Sequence, residues 1–184
     1  NTAVGYCSLA SNTTGTNNTS IGTCALFGVT TGEENVGVGY NSGKSITTAG
    51  ANVAVGHSAL QNTTTGAGNT ALGREALLTN TTASNNTAVG KRALYLNTTG
   101  AHNTAVGCGA MVSTTTSGEN VAVGFGALAS QTTGTPNNAF GNQTLCKLTT
   151  GTNNVGLGYR SMCDLTTGTQ NVMVGNSAGQ GITT

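Results

Sequence analysis

Polar and apolar positions recur along this chain every 17 residues, eleven times without insertion or deletion. Each unit opens on Asn: Asn1, Asn18, Asn35, Asn52, Asn69, Asn86, Asn103, Asn120, Asn137, Asn154 and Asn171. Counting from that Asn, position 2 is Thr or Val in every copy but Asn138, position 3 is usually Ala and small in every copy but Met173, and position 4 is Val, Ile, Leu or Phe. Side chains alternate across a strand, so positions 2 and 4 share one face and position 3 the other. Neither face carries a charge, which predicts a short strand covered on both sides, by the coil's own core and by another chain or sheet. Position 5 is always Gly, as a corner closed to Cβ requires. Position 6 varies freely (Tyr6, His57, Arg74, Phe125), as an exposed site does. Position 9 is Leu or Met except at Gly43 and Gly179, and in those two units position 12 becomes Ile46 and Ile182. Positions 9 and 12 are therefore expected to line one interior, with position 4 filling it as well. Positions 13 and 14 are Thr-Thr throughout, and positions 15 to 17 carry turn chemistry.

A fixed period near 20 residues marks coils that stack on one another. The chain is expected to be all-β, a parallel β-solenoid of eleven 17-residue coils spanning residues 1–184 as one repeat domain. Each coil reads as a strand, a Gly corner, a second extended segment and a Thr-Thr-Gly turn. Coils about 4.8 Å apart give a rod of about 53 Å. Equivalent residues then lie above one another, and the eleven Asn are expected to form a hydrogen-bonded ladder that compensates their burial. The chain starts at position 1 of a unit and stops at position 14, which is the expectation for an excerpt of a longer fibre protein.

Composition narrows the partners. With 29 Gly, one Pro, 36% apolar and 6% charged residues, the chain is unlike disordered sequences, which are charged and proline-rich. A net charge of +1 supplies no basic surface for nucleic acid or for an anionic membrane. Stacking explains the scarcity of charge, since like charges 4.8 Å apart repel by roughly 0.9 kcal/mol even in water. Arg74, Glu75, Lys91 and Arg92 fall in register as a small mixed cluster, read as solvation of an exposed face.

Candidate chemistry is thin. Cys7 and Cys24 share position 7, and Cys146 and Cys163 share position 10, so both pairs are candidate rung-to-rung disulfides; Cys108 is left single. Residues 39–45, Gly-Tyr-Asn-Ser-Gly-Lys-Ser, have one residue too few between their glycines for a phosphate-binding loop. His102 and Glu119 share position 17 but lack a third partner. No catalytic residue, cofactor or metal is expected. Candidate N-glycosylation sequons start at Asn12, Asn17, Asn18, Asn62, Asn80, Asn85, Asn97 and Asn142, a weak signal in a chain rich in Asn and Thr.

The pattern Asn86-Thr-Ala-Val-Gly90 with Asn97-Thr-Thr-Gly100 resembles repeats of phage tail-fibre-like and other surface-fibre proteins, over all 184 residues. Its core also resembles the head repeat of trimeric autotransporter adhesins. That second resemblance implies a left-handed β-roll associated as a trimer, and both imply an extracellular, cell-surface or virion-surface location. The expected function is a structural fibre segment, a rigid spacer without catalytic chemistry that self-associates. One alternative is an adhesin or receptor- and glycan-binding module using positions 6, 7, 10 and 11, with Tyr6, Tyr40, Tyr95, Phe125 and Tyr159 stacking on sugars. A further alternative is an ice-binding Thr ladder, weakened because adjacent residues 13 and 14 of an extended segment point to opposite sides.

Overall fold

The computed structural model describes residues 1–184 and contains no helix. Eleven short strands follow one another: β1 (Thr2–Val4), β2 (Thr19–Ile21), β3 (Val36–Val38), β4 (Val53–Val55), β5 (Thr70–Leu72), β6 (Thr87–Val89), β7 (Thr104–Val106), β8 (Val121–Val123), β9 (Asn137–Phe140), β10 (Asn154–Leu157) and β11 (Val172–Val174). They form one parallel sheet in sequence order, each pairing the next at an offset of one repeat: Val4 faces Ile21, Ile21 faces Val38, and Val38 faces Val55. The architecture is a β-solenoid. Parallel neighbours need a long crossover, and the rest of each 17-residue coil supplies it.

The two faces of the strand are reversed from the expectation that position 4 fills the interior. Position 3 points inward: Ala54, Ala71, Ala88, Ala105, Ala122 and Ala139 are fully buried. They pack with position 8, such as Ala59 and Ala93, and position 9, from Leu60 through Leu94 to Met162, in one continuous core. Position 4 points outward, with Val4 56% and Leu72 47% exposed. The lumen is narrow, so a small residue on the strand lets Leu reach across from the opposite wall. Close packing penalises any extra methylene there.

Core continuity breaks at one coil. Positions 3 and 9 are both Gly in the third unit, Gly37 and Gly43, and there a separate cluster of Leu9, Leu26, Val29, Ile46 and Ala49 takes over. A Cβ on Gly43 would lie 2.7 Å from Leu26 Cδ2 and 3.0 Å from Ile46 Cδ1, so Ile46 at position 12 fills the space of the missing Leu. The substitution of one apolar group for another holds for that coil. Near Gly179 it is Met173 of position 3 that fills the gap, and Ile182 stays 37% exposed.

The segment after the Gly corner is not extended. Positions 7 and 9 are left-handed in all eleven coils, from Cys7 (φ 53°) and Leu9 (φ 53°) to Ser177 (φ 53°) and Gly179 (φ 71°). Alternating handedness flips successive peptide planes, so N–H groups point up and down the rod in turn. Cys24 donates to Tyr6 O of the preceding coil at 2.9 Å, and Leu26 donates to Ser42 O of the following coil at 2.9 Å. Only 22 of 117 backbone hydrogen bonds lie within strands, so turns rather than sheet supply most of the links between coils.

The Gly at position 5 has a steric reason. Its φ runs from 126° to 139°, a region open to Gly, and a Cβ on Gly90 would sit 2.7 Å from the backbone carbonyl of Gly107 on the next coil.

Candidate functional site

Three columns of polar side chains run the length of the rod. The first is the Asn of position 1, buried from Asn18 through Asn154. Each Asn Oδ1 accepts the backbone N–H of the Asn above it, for example Asn35 to Asn18 at 2.9 Å and Asn103 to Asn86 at 2.9 Å. The side-chain amide also closes its own coil by donating to the carbonyl of position 15, as Asn86 does to Gly100 at 2.9 Å. One residue thus joins neighbouring coils and ties the end of a coil to its start, which is why no other residue type occurs there.

The second column is the Thr of position 13. Its hydroxyl donates to the backbone carbonyl of the next position-13 Thr, from Thr13 to Thr30 at 3.0 Å through Thr166 to Thr183 at 2.8 Å. Those hydroxyls are engaged within the rod. The adjacent Thr of position 14 is exposed in every coil, so a single Thr row faces solvent.

A third polar column was missed by sequence reasoning. Position 12 carries Thr63, Asn80, Asn97, Thr114 and Gln131 in five consecutive coils, all fully buried, between apolar Ile46 and Leu148. Asn97 donates to Asn80 Oδ1 at 3.1 Å and Asn80 to Thr63 Oγ1 at 3.1 Å. Asn97 Oδ1, Thr114 Oγ1 and Gln131 Oε1 have no partner. The run of polar types at one position was visible in register, but its burial was not.

Of the cysteine pairs, Cys146 and Cys163 form a disulfide across adjacent coils, with Cα atoms 4.9 Å apart. Cys7 and Cys24 remain free thiols, contrary to their candidacy. Position 7 lies in the left-handed turn, where Cys7 and Cys24 are both half-buried. A side-chain hydrogen bond with Cys7, then the electrostatic influence of Cys7 and Cys24, holds the Tyr6 pKa above the usual tyrosine range. Cys108 is exposed at position 6.

The sequons separate by burial. Asn18, Asn80 and Asn97 are at most 1% exposed with their amides donating inside the rod, so a glycan has no access there. Asn12 is half-buried and donates to Gly15 O at 3.0 Å. Asn17, Asn62, Asn85 and Asn142 are exposed.

Charged side chains pair along the axis. Glu75 accepts from Arg92 Nε at 2.6 Å and from Arg74 at 2.9 Å, and Arg92 also lies 5.1 Å from the Tyr95 ring centre. The Arg92 hydrogen bond, opposed by slight desolvation and aided by Arg74, holds the Glu75 carboxyl below the ordinary range, and Arg92 is raised in turn. Lys147 pairs with Asp164 at 2.7 Å, lowering its carboxyl, with further help from the Gly181 N–H. His102 and Glu119 make no ion pair; they are exposed and line a shallow cavity of about 320 Å³ with Ala101, Thr116, Gly118 and Thr135. Gly39 of the loop-like segment 39–45 is a corner Gly, φ 128°. No three His, Cys, Asp or Glu side chains come together.

No family model, no curated protein and no solved structure matches the chain.

Proposed function

We propose that the chain is a structural segment of an extracellular or virion-surface fibre, a rigid spacer whose rods associate with further copies through the outer strand face. The observation that carries this reading is the outward row of positions 2 and 4. It is charge-free over all eleven strands and partly exposed throughout, with Ile21 41%, Leu157 47% and Val174 66% accessible. Position 4 is apolar in every strand, with Thr, Val or Asn138 beside it at position 2, and long exposed apolar rows are interaction surfaces.

A second copy is the fitting occupant because it presents the same side chains at the same axial spacing and imposes no unpaired charge. Eleven rungs by a strip about 10 Å wide offer roughly 500 Å² per chain, or about 1,000 Å² for a pair, which just reaches the size of a specific interface. That size favours association of whole rods over association of single coils. Coil-on-coil templating supplies length and stiffness, and the dense backbone bonding between coils leaves little for a protease to grip.

Electron microscopy of purified protein is expected to show thin rods, and light scattering a mass above the 18.1 kDa of one chain. The double variant Val55→Asp/Val89→Asp should yield monomers that keep the same circular dichroism. Compact particles, or a monomeric parent at high concentration, would overturn the reading.

A further inference from the structure

Half of the chain's six cationic side chains stand on two adjacent coils, Arg74 on one and Lys91 and Arg92 on the next. Three cations against one carboxylate, Glu75, leave +2 on a patch of a chain whose total is +1. All three are exposed, and Lys91 enters no ion pair. The patch continues along the axis. Tyr40, His57, Arg74 and Lys91 occupy position 6 of four consecutive coils, an exposed row spanning about 14 Å at the coil spacing. Tyr40 and His57 stack on each other with ring centres 5.1 Å apart and planes at 28°. Each ring therefore covers one face of the other, and the pair also offers a ligand polar edges, a phenol hydroxyl and ring nitrogens. Glu75 and the Tyr95 ring hold Arg92 from both sides, so its guanidinium is already positioned.

We propose that this row, Tyr40, His57, Arg74 and Lys91 with Arg92 beside it, is a binding strip for a linear acidic polysaccharide laid along the rod. Such a polymer presents hydroxyls and carboxylates or sulfates at intervals along one line, which a straight array of donors and cations matches. Nucleic acid fits less well. Duplex binding draws on about 6–10 phosphate contacts, more than three cations supply, and single strands need a run of open aromatic faces for successive bases, whereas this row has two rings that each cover one face of the other. This inference goes beyond the spacer role and does not depend on it: the strip belongs to one chain and lies on turn residues rather than on the strand.

Calorimetry on the intact chain would compare a heparin octasaccharide, a hyaluronan octasaccharide, a neutral dextran fragment of the same length and a single-stranded DNA octamer. The expected result is binding of the sulfated or the carboxylated octasaccharide, the two arms showing which acidic group is preferred, with no binding of dextran and weaker binding of DNA. Lys91→Ala and Arg92→Ala should each weaken the acidic sugar about tenfold, and Tyr40→Ala or His57→Ala about threefold. Arg160→Ala, a cation on a distant coil, should change nothing. These residues are on the surface, and unchanged thermal unfolding shows that the fold is intact. The proposal is overturned if neither acidic octasaccharide binds at low salt, if DNA binds as tightly, or if Arg160→Ala weakens binding as much as Lys91→Ala.

Discussion

Position 9 admits Leu, Met and Gly but never Val or Ile, although it lies in an apolar core. The reason is backbone, not burial. Leu94 has φ 52° and Met111 φ 52°, and a branched Cβ clashes in the left-handed region. Position 7 and position 17 show the same exclusion of Val, Ile and Thr in a chain otherwise rich in Thr. That absence was a legible signal for left-handed residues at all three positions, Pro136 apart, which read at the sequence level only as a variable surface, an interior and a turn. Leu94→Met should therefore lose less than about 1.5 kcal/mol, whereas Leu94→Ile of similar volume should lose at least about 2 kcal/mol more; urea unfolding of the two variants checks the difference. Gln131 poses the opposite case. Its buried Oε1 has no partner, and its amide occupies the Gly134 carbonyl that the position-1 Asn takes in other coils, as Asn137 takes Gly151 at 2.8 Å. Leu148 and Leu165 already sit at the same position fully buried. Gln131→Leu is expected to raise stability by about 1 kcal/mol, because an orphan oxygen is removed and Asn120 regains that carbonyl; a lower urea midpoint than the parent's would refute it.

At the scale of one coil, the strand is three or four residues long and could not persist alone. What holds it is the Asn clamp at its start and the turn hydrogen bonds at its end. Asn86→Ala strips an acceptor from the Asn103 N–H and a donor from the Gly100 carbonyl, both inside the rod. The expected cost is about 3 kcal/mol, and hydrogen exchange should show faster opening at coils five to seven than at distant coils. The Cys146–Cys163 bridge closes a loop of one repeat. In the chain-entropy account that is worth about 3 kcal/mol, so reduction should lower the melting temperature, while Cys7→Ser/Cys24→Ser should leave it unchanged. The Asn ladder and the disulfide register were both legible, because a constant period places residues 17 apart on one axis. Thiol state was not, since it depends on where each turn points its side chains.

For the whole molecule, the unit of construction is the 17-residue coil and neighbours interact only with neighbours. Excision of residues 86–102 joins position 17 to position 1 and keeps every column in register, so the shortened chain should fold with the same circular dichroism and a slightly lower denaturation midpoint. Excision of residues 86–93 shifts the later columns by eight positions against the earlier ones and should abolish cooperative unfolding. Comparable stability of the two deletions would contradict the stacked architecture.

Periodicity alone determined the coil length, the parallel register and which residues stack, because a repeat without insertions admits one alignment of unit on unit. It did not decide which strand face looks inward. Alternation is unchanged when the faces are exchanged, and both rows are uncharged, so the pattern of Ala88 and Val89 reads equally well either way. The coil's closure decided it: Leu94, carried round by the left-handed turn, fills the lumen opposite the strand and leaves room for Ala88 but not for Val89. Small volume at position 3 in every coil but that of Met173, against Val to Phe at position 4, is the trace that this packing constraint left in the sequence.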